Sequence, residues 1–166
     1  EKVDAESRDK AEVLYRKALE PHKKVYGKEH GYTLDVMGNL ANLIEDKKDT
    51  RSLSEAEGLR REVLATYKKD RGEEYPRTLN SMYSLALVLA KKEDAASLAE
   101  AEALFRETVK LRKKVLGEEH PDTLEGVYAL TWVLSKKDDP QSVAESEVLY
   151  RNTLKPYKKV LGEGHK

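Results

Sequence analysis

The sequence predicts an all-α protein, a solenoid of antiparallel helix pairs with seven helices. Three observations lead there: a repeat that never slips, an apolar stripe of helical period inside each repeat, and stop and start signals at fixed places between stripes. Ala11-Glu12, Ala56-Glu57, Ala101-Glu102 and Ser146-Glu147 stand 45 residues apart. The same interval of 45 separates Gly27, Gly72, Gly117 and Gly162, the lysine pairs beginning at Lys23, Lys68, Lys113 and Lys158, and the Thr-Leu pairs at Thr33, Thr78 and Thr123. A constant period of this length means that each unit buries its apolar face only against its neighbours.

Taken in order, residues 1–10 carry no apolar periodicity. Shifted by one period, they fall on the charged turn around Lys47–Glu55, so the chain opens inside a repeat. The first helix is predicted from about Asp9 to Tyr26, with Leu14, Tyr15, Ala18, Leu19 and Val25 inward at near i, i+3, i+4, i+7 spacing. Gly27 closes it, because glycine reaches the left-handed conformation without a side-chain clash. The second helix is expected from Tyr32-Thr33 to Lys47, with Thr33 as N-cap and Leu34, Met37, Leu40, Ala41 and Ile44 buried. The third runs from Ser52 to Asp70, with Leu53, Ala56, Leu59, Val63, Leu64 and Tyr67 inward. The pattern then recurs as Pro76–Lys92 with Ala96–Leu116, and as Pro121–Lys137 with Gln141–Leu161. Pro76 and Pro121 sit at a first helical position, where a missing N–H costs little. Pro21 and Pro156 fall inside the first and last helices and are expected to kink them. The chain thus divides into a leading half-repeat, 9–27, and three helix pairs, 30–72, 75–117 and 120–162, in one repeat domain covering 1–166.

Composition narrows the function. Lys plus Arg equals Asp plus Glu, 31 against 31, so bulk charge favours neither nucleic acid nor an anionic membrane. The lysine pairs are the one feature that could form a basic edge for phosphates, against which stands their place near helix C-termini, where cations complement the dipole. There is no cysteine. This fits a reducing compartment, and the cytoplasm is expected, with an organelle open because the chain begins at Glu1 and an address could have been removed. No apolar run is long enough to span a bilayer. His30, His120 and His165 occupy one equivalent junction in successive repeats. Packed helices stand roughly 10 Å apart, whereas zinc ligands converge within about 2 Å of one ion, so junction capping is expected and no metal or cofactor. His22 has no partner in view. Carboxylates are plentiful but lie in repeated solvent-facing positions, and no phosphate loop, nucleophile elbow or HExxH occurs. The chain does not read as an enzyme, and no small-molecule substrate is expected.

The motifs A-E-x-L-[YF]-R and L-G-E-E-H-P-D-T-L resemble the kinesin-light-chain-type tetratricopeptide repeat over about residues 9–165. Small residues stand at the helix crossings (Ala41, Ala86, Thr131; Ala11, Ala56, Ala101, Ser146), and aromatics follow at Tyr15, Phe105 and Tyr150. Arg60 replaces the aromatic in one repeat, and the surplus length sits in the turns Lys48–Ser52, Glu93–Ser97 and Asp138–Ser142. Nothing resembles the heptad coiled coil of kinesin light chains, so motor attachment is not supported. The resemblance implies a right-handed superhelix whose first helices line a concave groove.

With the core stripe in place, that groove would present Asp35, Gly38, Asn39, Asn42 and Glu45, then Asn80, Tyr83, Ser84, Leu87 and Lys91, then Glu125, Tyr128, Ala129, Trp132 and Lys136. Asn39, Asn42, Asn80, Tyr83, Leu87, Tyr128 and Trp132 are the candidate partner-binding residues. Aromatics are favoured contact residues, and asparagine carries both a donor and an acceptor for a peptide backbone. A C-terminal carboxylate clamp is excluded: carried onto this register its positions are Gly38, Asn42, Ser84, Glu125 and Ala129, and only Asn42 is of the right type. The resulting expectation is a non-catalytic scaffold holding a peptide or partner helix, anchored by Trp132. The alternative is a structural subunit that bridges or stabilises a larger multiprotein complex, membrane-associated or not, through its ends and outer face. The ends bear on this, because no polar capping helix is evident. Leu14 and Leu19 at one end, and Tyr150, Leu154 and Val160 at the other, are expected to expose apolar surface, as in a segment of a longer array or a subunit covered by neighbours.

Overall fold

The computed structural model describes residues 5–137 and 139–161. Among them lie seven α-helices and no strand: α1 Ala5–Tyr26, α2 Gly31–Glu45, α3 Thr50–Arg71, α4 Pro76–Lys92, α5 Ala95–Leu116, α6 Pro121–Ser135 and α7 Pro140–Leu161. Each helix packs on the next in sequence, and α4 also touches α6. The outcome is an all-α solenoid in two layers, α2, α4 and α6 on one side and α1, α3, α5 and α7 on the other.

The 45-residue register extends to the helix starts. Thr50, Ala95 and Pro140 begin α3, α5 and α7, and Ala5 begins α1 one period earlier, inside the stretch where the sequence shows no periodicity. At α3, α5 and α7 the start is set by a polar cap rather than an apolar stripe. The Asp49 carboxylate accepts from the Ser52 N–H at 3.0 Å, Asp94 from Ser97 at 2.9 Å and Asp139 from Ser142 at 2.8 Å. These bonds satisfy an orphan N–H at each helix start. The hydrogen bonds from each serine hold all three carboxyls below their ordinary range.

Two other boundaries differ from the sequence expectation. Thr33 is not the N-cap of α2. His30 is, its Nδ1 accepting the Tyr32 N–H at 3.2 Å, and His120 caps α6 through the Asp122 N–H at 3.2 Å. Thr33 lies inside the helix, fully buried, and donates its hydroxyl to the Gly27 carbonyl at 2.8 Å, tying the turn to the helix before it. The second and sixth helices also stop at Glu45 and Ser135, two residues short of Lys47 and Lys137. Helices α1 and α7 run on through Pro21 and Pro156. His22 does have a partner: its Nδ1 lies 2.8 Å from the Ala18 carbonyl oxygen. His165, Leu154 and Val160 lie outside the described side chains.

The core is the set of stripes read from the sequence. Leu34, Met37, Leu40, Ala41 and Ile44 are buried, as are Leu79, Met82, Leu85, Ala86 and Leu89 one repeat later. Ala41, Ala56, Ala86 and Ala101 are fully buried, which lets the paired helices approach closely. In α1 the expected inward face is only partly covered: Leu14 is 66% and Val25 71% exposed, while Leu19 is half-buried against α2 and α3. Leu59 and Leu104, equivalent to Leu14, are half-buried because an earlier helix pair lies against them.

Ion pairs repeat with the same period on the outer layer. Arg16, Arg61 and Arg106 each bond the glutamate four residues earlier, Glu12, Glu57 and Glu102. Each also reaches the next outer helix, where Nη2 meets Glu55 at 2.8 Å, Glu100 at 2.7 Å and Glu145 at 2.8 Å. A lysine at or just past the end of the intervening inner helix completes each unit, as Lys47–Glu12 at 2.7 Å, Lys92–Glu57 at 2.9 Å and Lys137–Glu102 at 2.8 Å. The Lys47 hydrogen bond holds the Glu12 carboxyl below its ordinary value. Burial works to raise Glu57 and Glu102, and their bonds to lysine and arginine outweigh it, so both are also lowered.

Two outcomes follow from this packing. Replacing Ala86 by Leu overpacks the α4 crossing and should lower stability by roughly 1–3 kcal/mol, read from the urea midpoint. The glutamates bind protons less readily folded than unfolded, so their contribution is complete above the unfolded carboxyl value of about 4.3 and is lost as pH falls through the lower folded value. The urea midpoint should therefore be flat near neutrality and decline below about pH 4.5. The decline should be shallower in Glu57→Gln.

Candidate partner-binding groove

The α2–α4–α6 face carries two neighbouring cavities of different chemistry. One, of about 450 Å³, is lined by Asp35, Gly38, Asn39 and Asn42 of α2, Arg60, Val63 and Tyr67 of α3, and Arg77, Asn80, Ser81 and Ser84 of α4, with Leu34 at its base. The other, of about 590 Å³, is lined by Tyr83, Leu87 and Lys91 of α4, Tyr128, Ala129 and Trp132 of α6, and Lys48 and Glu93 from the turns. The candidate residues therefore divide. Asn39, Asn42 and Asn80 share the polar cavity, and Tyr83, Leu87, Tyr128 and Trp132 share the apolar one.

The division follows from register. Positions 38, 83 and 128 are one structural site occupied by Gly, Tyr and Tyr, and positions 42, 87 and 132 are another occupied by Asn, Leu and Trp. Spacing of i, i+4 sets each pair on one helix face. Tyr128 is 55% and Trp132 38% exposed, so the indole is not sealed among its neighbours. The Lys136 ammonium sits 5.3 Å from its ring centroid. Tyr83 is braced from two sides, edge-on to Phe105 at 5.5 Å and beneath the Arg112 guanidinium at 4.7 Å. Two left-handed residues lie at the rim: Glu93, at φ 58°, caps the end of α4, and Lys48, at φ 59°, lies in the turn after α2.

Two expected groove residues do not face it. Ala129 is buried against the α4–α5 core although its edge touches the apolar cavity. Glu45 is buried and engages two cations, Lys91 at 3.0 Å and Arg60 at 3.5 Å. Its position on the groove stripe is overridden by this charge pairing.

Two arginines organise the groove floor. Arg60, standing where other repeats have an aromatic, is buried and donates from Nη2 to the Asn42 carboxamide oxygen. Arg112 is 2% exposed and donates from Nη1 to the Asp122 carbonyl at 2.5 Å and from Nη2 to the Asn80 carboxamide oxygen at 3.0 Å. Burial pulls both guanidinium groups below their ordinary value, against Glu45 for Arg60 and against Asp122 and Glu125 for Arg112. The Nε of each has no hydrogen-bond partner, nor has one oxygen of Glu45. Arg77 spans the rim of the polar cavity, bonding Asp35 at 2.8 Å and the Tyr67 hydroxyl at 2.9 Å. Arg60, Arg112 and Arg77 lie outside the set of site residues that the sequence suggests. Their signal is three arginines at register positions where the other repeats carry different residue types.

The lysine ladder is largely engaged within the molecule. Lys69 bonds Glu29 at 2.9 Å, Lys114 bonds the equivalent Glu74, Lys68 meets Glu73 at 2.6 Å and Lys113 meets Glu118 at 3.6 Å. Among the described residues no cluster of three His, Asp or Glu side chains is placed to hold a metal ion. No described helix is long and apolar enough to cross a membrane.

These features define an α-solenoid of tetratricopeptide type. The Tetratricopeptide repeat family profile matches residues 78–122, one full period. Solved structures share this fold, among them kinesin-light-chain-like repeat arrays. Two crystal structures of a Podosopora anserina protein assigned as a kinesin light chain with nearly identical tetratricopeptide-like repeats are among them. One, a single-residue variant, superposes with a TM-score of 0.76 at 22% identity, covering 93% of this chain and 69% of that one. Its counterpart gives 0.78 at 23% identity, covering 96% and 71%. BtubC (BKLC) from P. vanneervenii gives 0.76 at 19% identity, covering 96% of this chain and 59% of its own. No curated protein matches the chain by sequence.

Gly38 and Gly126 separate open from filled positions near the buried arginines. A Cβ at Gly126 would lie 3.0 Å from Val109 Cγ2, whereas at Gly38 the nearest atom is Arg60 Nη1 at 4.0 Å. Gly126→Ala should therefore destabilise by roughly 1–3 kcal/mol. Gly38→Ala should stabilise by up to about 1 kcal/mol through helix propensity. Urea unfolding of the two variants side by side checks both signs.

Proposed function

We propose that this chain is a non-catalytic protein-interaction scaffold that holds a peptide or partner helix along the α2–α4–α6 face, with Trp132 as the anchor. The tetratricopeptide solenoid is an architecture of interaction scaffolds, and the observation supporting this mode is the exposed aromatic pair. Core packing places no demand on Tyr128 or Trp132 to be aromatic, yet both stand in the apolar cavity beside Tyr83 and Leu87. Large amphipathic side chains around a desolvatable pocket are the usual energetic centre of an interface. Asn39, Asn42 and Asn80 then offer polar contacts one repeat further along.

A second reading has its own support: the structural subunit that binds through its ends. Val13 and Leu14 of α1 are 49% and 66% exposed, and Val148 and Tyr150 of α7 are 57% and 48% exposed. The two readings separate by mutation. Trp132→Ala with Tyr128→Ala should abolish capture of partners in a pull-down, with a loss of about 2 kcal/mol or more in affinity. Leu14→Ser with Tyr150→Ser should leave capture intact. The opposite pattern would sink the groove and favour the ends.

A further inference from the structure

We propose that α7 is the interface of a two-fold dimer, in which a second copy of this chain lays its own α7 antiparallel against the open face of the helix. No residue of the two groove cavities takes part, so this pairing is independent of the groove reading. The face stands out against its equivalents. One period earlier Leu98 and Phe105 are buried, and two periods earlier so are Leu53 and Arg60. In α7 the same positions hold Val143 and Tyr150, and both are exposed. A shallow cavity runs beside them, lined by Pro140, Val143, Ala144 and Glu147.

Charge marks the same face. In α3 and α5 the outer-layer glutamate is held by a lysine and by the arginine four residues on, and that arginine also reaches the next outer helix. The equivalent residues in α7 are Glu147 and Arg151. Both are exposed, and among the described residues neither has a hydrogen-bond or ion-pair partner. Spacing of i, i+4, i+7 and i+8 sets Val143, Glu147, Tyr150 and Arg151 on one side of the helix.

A free acid and a free base one turn apart suit a surface that meets itself. In an isologous contact residue i of one copy touches residue j of the other, and j touches i. Glu147 and Arg151 stand equally far on either side of Leu149. An antiparallel pair with its dyad there sets Glu147 of each copy against the partner's Arg151, and brings Tyr150 beside the partner's Tyr150.

Other occupants match less well. Head-to-tail stacking in register would bring Arg151 to the position where Glu55, Glu100 and Glu145 accept an arginine, and in α1 that position is Lys10. Cation would face cation. The α1 face also offers no free pair, since Lys10 bonds Glu6 at 2.6 Å, and Asp9 and Glu12 face Lys47 at 3.9 and 2.7 Å. A helix pair of the interior kind would bury Tyr150 but leave position 148 in solvent, as it leaves Gly58 and Ala103. The exposed Val148 at that position favours a partner that comes over the outer layer. With 22 residues α7 is about 33 Å long. A single-helix strip falls short of the roughly 800 Å² per partner of a standard interface, so the dimer forms reversibly and with concentration.

Sedimentation equilibrium of the full chain tests this. The chain should pass from monomer to dimer as concentration rises, and stop there. Glu147→Arg and Arg151→Glu, each alone, set like charges face to face at both contacts. Each should weaken self-association about tenfold or more, with helical circular dichroism unchanged. Mixed in equal amounts, the two variants regain opposite charges at both contacts and should form a heterodimer of wild-type affinity. A chain that stays monomeric to about 1 mM overturns the inference. Growth beyond the dimer, a dimer indifferent to both variants, or a mixture that stays monomeric overturns it equally. So does a monomeric chain that binds a peptide of residues 121–137, the helix covering the same face of α5, because the α7 face would then belong to a partner's helix.

Discussion

No helix in this chain can bury its apolar stripe alone. A stripe such as Leu34, Met37, Leu40, Ala41 and Ile44 is covered only when the helix before and the helix after lie against it, and small residues at the crossings set how closely they lie. Every repeat therefore depends on its neighbour, and the period must stay constant for the contacts to recur. The outer-layer ion pairs obey the same rule. An arginine bonded to its own helix and to the next one is satisfied only when the following repeat arrives in register, as Arg16, Arg61 and Arg106 show. Individually such exposed pairs contribute little, but their geometry distinguishes the correct stacking from a slipped one.

Because that scaffold is constant, variation at equivalent positions carries the individuality of the molecule. The crossing alanines and the capping aspartates barely change along the chain. The groove positions change from repeat to repeat: Gly, Tyr, Tyr at one and Asn, Leu, Trp at another. The outer-helix residues beneath them change too, with Arg60 at an aromatic site and Arg112 where the preceding repeat has Tyr67. Changes on the two layers are matched in space. Arg60 meets Asn42, while Arg112 meets Asn80 and lies over Tyr83. The polar and apolar halves of the face are thus set from underneath as well as by the residues that line them.

This explains which parts are legible in the sequence. The helix count, the buried stripes and the exposed aromatics follow from periodicity, because burial against a neighbour has the helix's own period. The N-cap at His30 is displaced onto Thr33 in a sequence reading because threonine is the commoner cap, and nothing local shows that its hydroxyl turns back to the Gly27 carbonyl. The early start of α1 escapes such a reading because an apolar period cannot register a turn made of charged residues. Glu45 looks like a groove residue because its position lies on the groove stripe, and its burial depends on Arg60 and Lys91, which are distant in sequence. Contacts of that kind leave no local pattern. They become visible only once repeats are aligned and a residue out of keeping with its equivalents is asked what it pairs with.

The buried arginines also show what such a departure costs a repeat. Phe105 fills its site completely and contributes apolar burial, whereas Arg60 at the equivalent site must be desolvated and leaves its Nε without a partner. A buried charge pair is often no more stabilising than a well-packed apolar side chain of similar volume. Stability alone therefore gives no reason for arginine there, and packing gives none either, since the aromatic fits the same frame one repeat later. What arginine does that phenylalanine cannot is donate hydrogen bonds into the groove floor and orient a polar side chain on the layer above. A departure that costs the scaffold while ordering its exposed face breaks a local packing rule, and such breaks gather where a surface serves something other than stability.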